Sequence, residues 1–349
     1  MASTLQEIAD RLDISAATVS RVLNGKPGVS QKTRQRVLEI ARELNFTPNP
    51  AAQSLVTSKT YAVAFVIKRW LVRVDNPFYD RIMMGVEQEL EKHGYHLVAI
   101  TIDETQHTPL RLPPGLDKRR LDGLIIAGCE LSDGMMTTLI SLGVPTVLVG
   151  NTLRHSSVDA VTSANQDGGF TATTHLIEHG HRQIAFLCGP QEWSPVRERL
   201  QGYREAMREH SLPENIIYCP DLEIETGRDA LRKALNENPN ISAVFATSDP
   251  IAIGAMRAAQ ELGRTVPDDL AIIGFDNIPW AENTQPPLTT LYIHKGEMGK
   301  MAARRLLELF DARPQPPLTI RVGNELVIRQ SCGCSYPASN GDDGHSTAN

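Results

Sequence analysis

A chain of 349 residues is too long for one small core and implies two or three domains. Its 41% hydrophobic and 22% charged residues exclude a disordered or fibrous chain, and the absence of any apolar run of spanning length excludes a helical membrane protein. The net charge of −6 is unevenly spread: residues 1–60 hold eight Lys/Arg and five Asp/Glu, so a +3 head precedes a −9 body. No charged-then-apolar leader opens the chain, so a cytoplasmic protein is expected. Five scattered cysteines, Cys129, Cys188, Cys219, Cys332 and Cys334, fit reduced thiols better than a disulfide framework.

Thr4 to Gly25, TLQEIADRLDISAATVSRVLNG, reads as two short helices around a tight turn. Thr4 and Glu7 have capping-box spacing, and Ile8, Ala9 and Leu12 share a face. Ser15 is a second N-cap, after which Val19, Val22 and Leu23 recur at helical spacing. That stripe leaves Ala16, Ala17, Ser20 and Arg21 outward, and small residues with an arginine on a short helix suit a major groove. A third helix has Ser30 as cap, Val37, Ile40, Ala41 and Leu44 inward, and Lys32, Arg34 and Arg36 outward. Residues 1–47 are therefore expected to be a helix-turn-helix DNA reader, although periodicity alone equally suits a small dimerisation module. Residues 48–60 form a linker in which Pro48 and Pro50 stop the third helix. Ala51, Ala52, Ser54 and Leu55 there make a short, nearly coreless helical segment, marginal alone in water.

From Tyr61 the texture changes to alternating strands and helices. YAVAFVI, a helix over Asp80–His93, YHLVAI, RLDGLIIAG, a helix near Met135–Leu142 and VPTVLVG make a first round. A second runs through a helix over Gln166–His179, RQIAFLCG, helices Val196–His210 and Glu225–Leu235, and SAVFATSD. It continues with helix Ile251–Leu262, LAIIGFDN, LTTLYI and helix Lys295–Phe310. Continuously apolar strands between helices predict an α/β body of two doubly wound parallel sheets. ETQHTPLRLPPGLDKRRL interrupts the first round with Pro109, Pro113 and Pro114, so a loop with a shortened helix is expected there. The polar tail 336–349 is expected to be disordered and holds no leucine heptad.

TLQEIA, ISAATVSRVLNG, VSQKTRQRV and NPAAQSL, in that order and spacing, resemble the LacI/GalR family of bacterial transcription regulators, and the similarity runs to about residue 334. The resemblance implies a two-lobed periplasmic-binding-protein type I body over 61–335, with lobe crossovers near 163, 292 and 322. It implies a homodimer on palindromic operator DNA. DNA-facing positions are then Thr4, Ser15, Ala16, Ala17, Thr18, Ser20, Arg21, Asn24, Ser30, Thr33, Arg34, Asn49, Ala52 and Gln53, with Leu55 matching the family leucine that wedges into the minor groove. Gln53 and Val56 stand where several relatives are basic, which weakens groove contacts.

Ligands of open α/β sheets sit beyond the carboxyl ends of the strands. The loops there carry Asn76-Pro77-Phe78-Tyr79, resembling a family element whose aromatic stacks on ligand, then Trp193, Arg197 and Arg199, then Ser248, and then Asp276 and Trp280. By resemblance, Arg197 and Asp276 hold sugar hydroxyls through charge-assisted bonds. Arg199 has two readings, a ligand contact or an inter-lobe salt bridge, and Asp249 reads as a helix cap. Trp193 and Pro195 replace the arginine and threonine of purine-responsive members. The expected function is a repressor of carbohydrate genes released by a small sugar. The alternatives are a corepressor-dependent regulator or, against the DNA-reading head, a solute-binding protein. There is no P-loop, dinucleotide fingerprint or nucleophile elbow, so no catalytic residues or cofactor are expected. Cys332-Gly-Cys334 has the donors of a metal or redox pair. Without a second Cys or His cluster, a packing role and no metal are expected.

Overall fold

In the computed structural model, residues 5–23, 27–44, 46, 59–69, 78–108, 111–117, 120–128, 131–153, 158–311 and 316–334 are described. Thr4, Asn24, Asn49, Ala52, Gln53 and Leu55, the linker expectation over 48–58, Asn76, Pro77, Cys129 and the tail lie outside them. The chain divides into two units, Met1–Thr60 and Tyr61–Asn349.

The first unit holds helices α1 (Leu5–Leu12), α2 (Ala16–Leu23) and α3 (Gln31–Glu43). Ile8, Ala9, Val19, Val22, Val37 and Ala41 are its buried centre, flanked by Leu12, Leu23, Ile40 and Leu44. Asp13, at φ +52°, makes the turn between α1 and α2, a conformation that Asp tolerates better than most residues. Ser15 then caps α2, its Oγ accepting from Thr18 N–H at 3.1 Å, and Ser30 caps α3 in the same way through Thr33 N–H at 3.2 Å.

The second unit contains two six-stranded sheets of matching order. The first runs β2 (His96–Ile102), β1 (Ala62–Lys68), β3 (Gly123–Ala127), β4 (Thr146–Val149), β5 (Asp159–Ser163) and β11 (Thr319–Val322), all parallel. The second runs β7 (Ile216–Tyr218), β6 (Ile184–Cys188), β8 (Ala243–Ala246), β9 (Ala271–Asp276), β10 (Thr289–Ile293) and β12 (Asn324–Val327), with only β12 antiparallel. Strands β3, β4, β6, β8 and β9 are buried at every position, as strands covered on both faces must be. Helices α4 (Phe78–Glu91) and α5 (Asp133–Ile140) belong to the first lobe. Helices α6 (Asn165–Glu178), α7 (Ser194–Glu209), α8 (Ile224–Glu237) and α9 (Asp249–Glu261) belong to the second, and α10 (Lys295–Asp311) returns to the first.

The chain passes between sheets three times: from β5 to α6, from β10 to α10, and from β11 to β12. Asn324 ties two of these passages together, its Nδ2 donating to the Ala164 carbonyl at 2.8 Å while its Oδ1 accepts from the Ser163 hydroxyl. Among the described residues of the proline-rich stretch after β2 there is no helix, only turns and an isolated bridge between Thr108 and Arg111. The shortened helix expected there is thus absent from those residues: Pro113 and Pro114 supply no amide, and Leu116 N–H closes a turn onto the Pro113 carbonyl.

Helix pairs meet through glycines placed where backbones nearly touch. A Cβ on Gly202 of α7 would lie 2.1 Å from the Gln166 carbonyl oxygen of α6, and one on Gly254 of α9 would lie 1.9 Å from that of Ile224 of α8. Gly202→Ala should raise intrinsic helix propensity by about 1 kcal/mol yet lower net stability by about 1–3 kcal/mol, because two backbones must separate. Urea unfolding of the variant checks this; an unchanged midpoint would mean that α6 and α7 yield freely.

Candidate functional sites: a helical DNA face and an inter-lobe cleft

On the first unit, α2 presents Ala17 and Arg21 to solvent, with Ala16, Thr18 and Ser20 half-buried. Ser15 and Thr18 share a 2.9 Å hydroxyl contact, and Ser30 and Thr33 one of 2.8 Å. Lys32 and Arg36 are exposed on α3. Arg34 departs from its expected outward position: it is half-buried, with one guanidinium nitrogen 3.3 Å from the Val22 carbonyl at the end of α2. An arginine there satisfies a C-terminal helix carbonyl and suits the negative end of the dipole, so it joins α3 to α2.

In the second unit a cavity of about 560 Å³ opens between the lobes at the carboxyl ends of the strands. Phe78 and Tyr79 of α4 and Gly150 beyond β4 face it from the first lobe, and Trp193, Pro195, Val196 and Arg199 from the start of α7. Leu222, Glu223, Ile253, Met256, Asp276 and Trp280 complete much of the remaining wall. The walls are therefore aromatic and aliphatic with a few convergent polar groups, a composition suited to a small polar ligand with apolar faces.

The floor is a buried charge cluster. Arg199 is 6% exposed and Asp276 9%, and their nearest nitrogen and oxygen lie 3.1 Å apart. The Arg199 guanidinium also donates to Asn165 Oδ1 at 3.0 Å and to the Thr247 carbonyl at 2.6 Å, and it lies 3.7 Å over the Phe275 ring. Asp276 Oδ1, the oxygen that faces Arg199, is itself shielded from solvent. Asp276 has φ +114° and Asn277 φ +48°, conformations that L-residues rarely adopt. Three contacts hold this strained turn. Lys295 Nζ donates to the Asp276 carbonyl, Arg329 donates to Asn277 Oδ1 at 2.8 Å, and Ile278 N–H donates to Asp249 Oδ2 at 2.8 Å.

Several expected positions fall differently. Arg197 does not line the cavity: its guanidinium turns back to the Gln191 and Glu192 carbonyls at 2.7 and 2.6 Å. Positions two apart on a helix point about 200° apart, so once Pro195, Val196 and Arg199 face the cleft Arg197 cannot. Ser248 is 1% exposed, precedes α9 and lies off the cavity wall, with its hydroxyl lacking a hydrogen-bond partner. Asp249 does not cap the helix: Ser248 holds the N-cap position of α9, and Asp249, fully buried in its first turn, accepts from Thr290 and Ile278 and braces the Asp276 turn. Phe78, Tyr79, Trp193, Arg199, Asp276 and Trp280 are brought together.

Three residues escaped the sequence reading of the site: Lys295, Asn165 and Ser194. Lys295 is 6% exposed and 5.3 Å from the Phe78 ring centroid. Asn165 hydrogen-bonds Arg199 and, through Nδ2, Glu198 at 3.1 Å. Ser194 donates to Asn151 Oδ1 at 2.7 Å and accepts from Thr152 N–H at 3.1 Å, linking the lobes at the cleft edge. The available signal was position: Asn165 and Lys295 each follow a strand directly at a lobe crossover.

Two family models match the chain: "Bacterial regulatory proteins, lacI family" over residues 4–49, and "Periplasmic binding protein-like domain" over 173–332. The HTH-type transcriptional regulator CelR of Thermobifida fusca is 35% identical over 334 residues, covering 94% of this chain and 98% of that protein. The ribose operon repressor of Halalkalibacterium halodurans is 31% identical, covering 94% and 97%. Among solved structures, a CelR–cellobiose complex superposes with TM-score 0.73 at 33% identity, covering 94% of this chain and 99% of that one. A lac repressor dimer bound to operator and the anti-inducer ONPF superposes with TM-score 0.81 at 25% identity, covering 95% and 99%.

Burial, and then the neighbouring Asp276 carboxylate, push the Asp249 carboxyl up to about 7 from an ordinary 3.8. Asp276 is also raised by burial, against the opposing pull of Arg199 and Lys295, while burial lowers Lys295. Across this interval Asp249 holds its proton more tightly in the folded state than in the unfolded chain, so the stability it contributes falls as pH rises through it. Asp249→Asn keeps the shape and stays neutral. Its urea-stability profile between about pH 4 and pH 7 should be flatter than that of the parent protein; an equally steep profile would assign the titration to another group.

Proposed function

The chain belongs to the lacI family of bacterial regulatory proteins, and we propose that it represses carbohydrate-utilisation genes and leaves its operator when a sugar binds between its lobes. It is a DNA-binding transcriptional regulator, as its relatives are, and not an enzyme. Among the described residues no helix is long and apolar enough to cross a membrane. We place the protein in the cytoplasm, on the nucleoid when DNA-bound, as a homodimer with one helical head per operator half-site.

The observation carrying the sugar reading is the Arg199–Asp276 pair at the floor of a cavity walled by Phe78, Trp193 and Trp280. A sugar ring has an apolar face that an aromatic side chain covers, and vicinal hydroxyls that can donate to a carboxylate and accept from a guanidinium. Of the two arginines considered from sequence, Arg199 is assigned the ligand role and Arg197 a structural one. In the DNA reading, Arg21 contacts a guanine edge, while Ala16 and Ala17 offer methyl contacts and space.

Two paired measurements test this. Trp280→Ala, which removes a half-exposed wall of the cavity and no buried charge, should strongly weaken calorimetric binding of candidate sugars, cellobiose and ribose first, and leave operator affinity without sugar unchanged; normal sugar binding by the variant would refute the cleft assignment. Arg21→Ala should cost about 1–3 kcal/mol at one operator position and relax base preference there. An equal loss on every DNA sequence would instead make Arg21 a phosphate contact.

A further inference from the structure

Away from the cleft, in the second lobe, three metal-capable donors from distant parts of the chain converge. Cys332 and Cys334 follow β12, and His175 stands in the last turn of α6. Cys334 Sγ lies 2.9 Å from His175 Nε2 and 3.1 Å from Cys332 Sγ, and the three donor atoms all fall within 4.8 Å of one another. Neither thiol is in a disulfide. From sequence, the Cys-Gly-Cys pair lacks a partner cluster; the fold supplies one from 157 residues upstream of Cys332.

The turn that aims both thiols the same way is specific. Gly333 sits at φ +77°, where only glycine is comfortable, and its N–H closes onto the Gln330 carbonyl at 3.2 Å. The segment is anchored on both sides. Ser331 donates to the Ile272 carbonyl and accepts from Thr289 N–H, and the Thr289 hydroxyl donates to Cys332 Sγ at 3.2 Å. A donor aimed at one sulfur is what an outer partner of a metal thiolate supplies. Cys332 shares an apolar cluster with Cys188, where a free cysteine acts as a small hydrophobe, but only at Cys332 do a hydroxyl donor, a second thiol and a nearby imidazole converge. Cys332 and His175 are buried and Cys334 is partly exposed, leaving one side of the trio open.

We propose that His175, Cys332 and Cys334 bind one zinc(II) ion, with water as fourth ligand, and that the ion staples the C-terminal segment to α6. Two thiolates and an imidazole form a borderline-soft donor set matched to zinc, at about 2.3 Å for sulfur and about 2.0–2.1 Å for nitrogen. A tetrahedron of that size separates its sulfurs by about 3.8 Å. The two cysteines therefore part by well under an ångström on binding, and Cys334, at the open side, can make that movement. Each thiol releases its proton as its sulfur ligates, and the imidazole binds as the neutral base.

The test uses the full-length protein, reduced, stripped with a chelator and titrated with zinc chloride. Metal per chain is measured after gel filtration, affinity by competition with a chromogenic chelator, and stability by thermal unfolding. One zinc per chain and a raised melting temperature are expected. His175→Gln and Cys334→Ser should each weaken zinc binding by about 100-fold or more, since even outer-shell changes cost 10–100-fold. Cobalt(II) in the parent protein should give a thiolate-to-cobalt charge-transfer band with four-coordinate visible bands, a readout that does not depend on either variant folding. Zinc retention by Cys334→Ser at parental affinity would overturn the proposal, as would a cobalt spectrum without the thiolate band. So would a reduced protein that takes up copper(I) and not zinc, or that closes a Cys332–Cys334 disulfide and takes up no metal when reduced.

Discussion

The ion pair between Arg199 and Asp276 is the contact on which the effector body depends. Both side chains are almost wholly buried, and burying either charge alone would be strongly unfavourable. The arrangement is tolerable because the charges are balanced locally: Lys295 lies beside the two acids, Asp249 and Asp276, and the Asn165 amide and Thr247 carbonyl take up guanidinium donors. These groups arrive from α6, α7, α9, α10 and the ends of β8 and β9. One cluster therefore ties six elements together beneath the cavity, with Asp276 among its lining residues. Removing one member would strand the others, so the cluster is a structural junction, and the proposed function makes it a ligand surface as well.

The strained turn at Asp276 follows from the same junction. A carboxylate at the end of a central parallel strand would normally continue outward with the chain; here φ +114° turns it back beneath the cavity. That conformation costs on the order of 1–3 kcal/mol and persists because contacts from Lys295, Arg329 and Asp249 over-determine it. Asp249 is raised to about 7 as a by-product of serving as that brace without water.

Much of the fold could be read from residues alone. Long apolar strands such as AVAFVIK and AIIGFD, alternating with amphipathic helices, announce a parallel sheet because only strands covered on both faces can be so uniformly apolar. Of the strands that escaped reading, β7, β11 and β12 are three to four residues long and half-exposed at sheet edges, where apolar periodicity is weak, while β5 is fully buried but its sequence DAVTS carries three polar residues and no apolar run. In the site, aromatic residues after strands were legible. The choice between Arg197 and Arg199 was not, because Arg199 lies on the buried face of α7 with Val196, Leu200 and Tyr203, a place the residue type alone argues against. Lys295 was legible only as a helix start, and the His175–Cys334 contact joins segments whose proximity no local pattern encodes.

The two lobes contribute unequal things to a switch. Arg199 and Asp276, with Asn165 and Thr247, belong to the second lobe or its crossover, while Lys295 reaches them from α10, which packs on the first lobe; in the proposed reading the Arg199–Asp276 pair keeps its geometry as the lobes move. Contacts a ligand makes with them add to affinity equally in any lobe arrangement. An equal contribution shifts no equilibrium, however tight the binding. Differential affinity must come from the groups that approach or recede as the lobes move: Phe78, Tyr79 and Gly150, with the Ser194–Asn151 link at the edge setting what opening must break. Regulatory coupling of the usual 1–3 kcal/mol is within reach of one aromatic face and one or two hydrogen bonds made in only one arrangement. In the proposed reading the charged floor anchors the effector, and the aromatic wall opposite converts its presence into a change of shape.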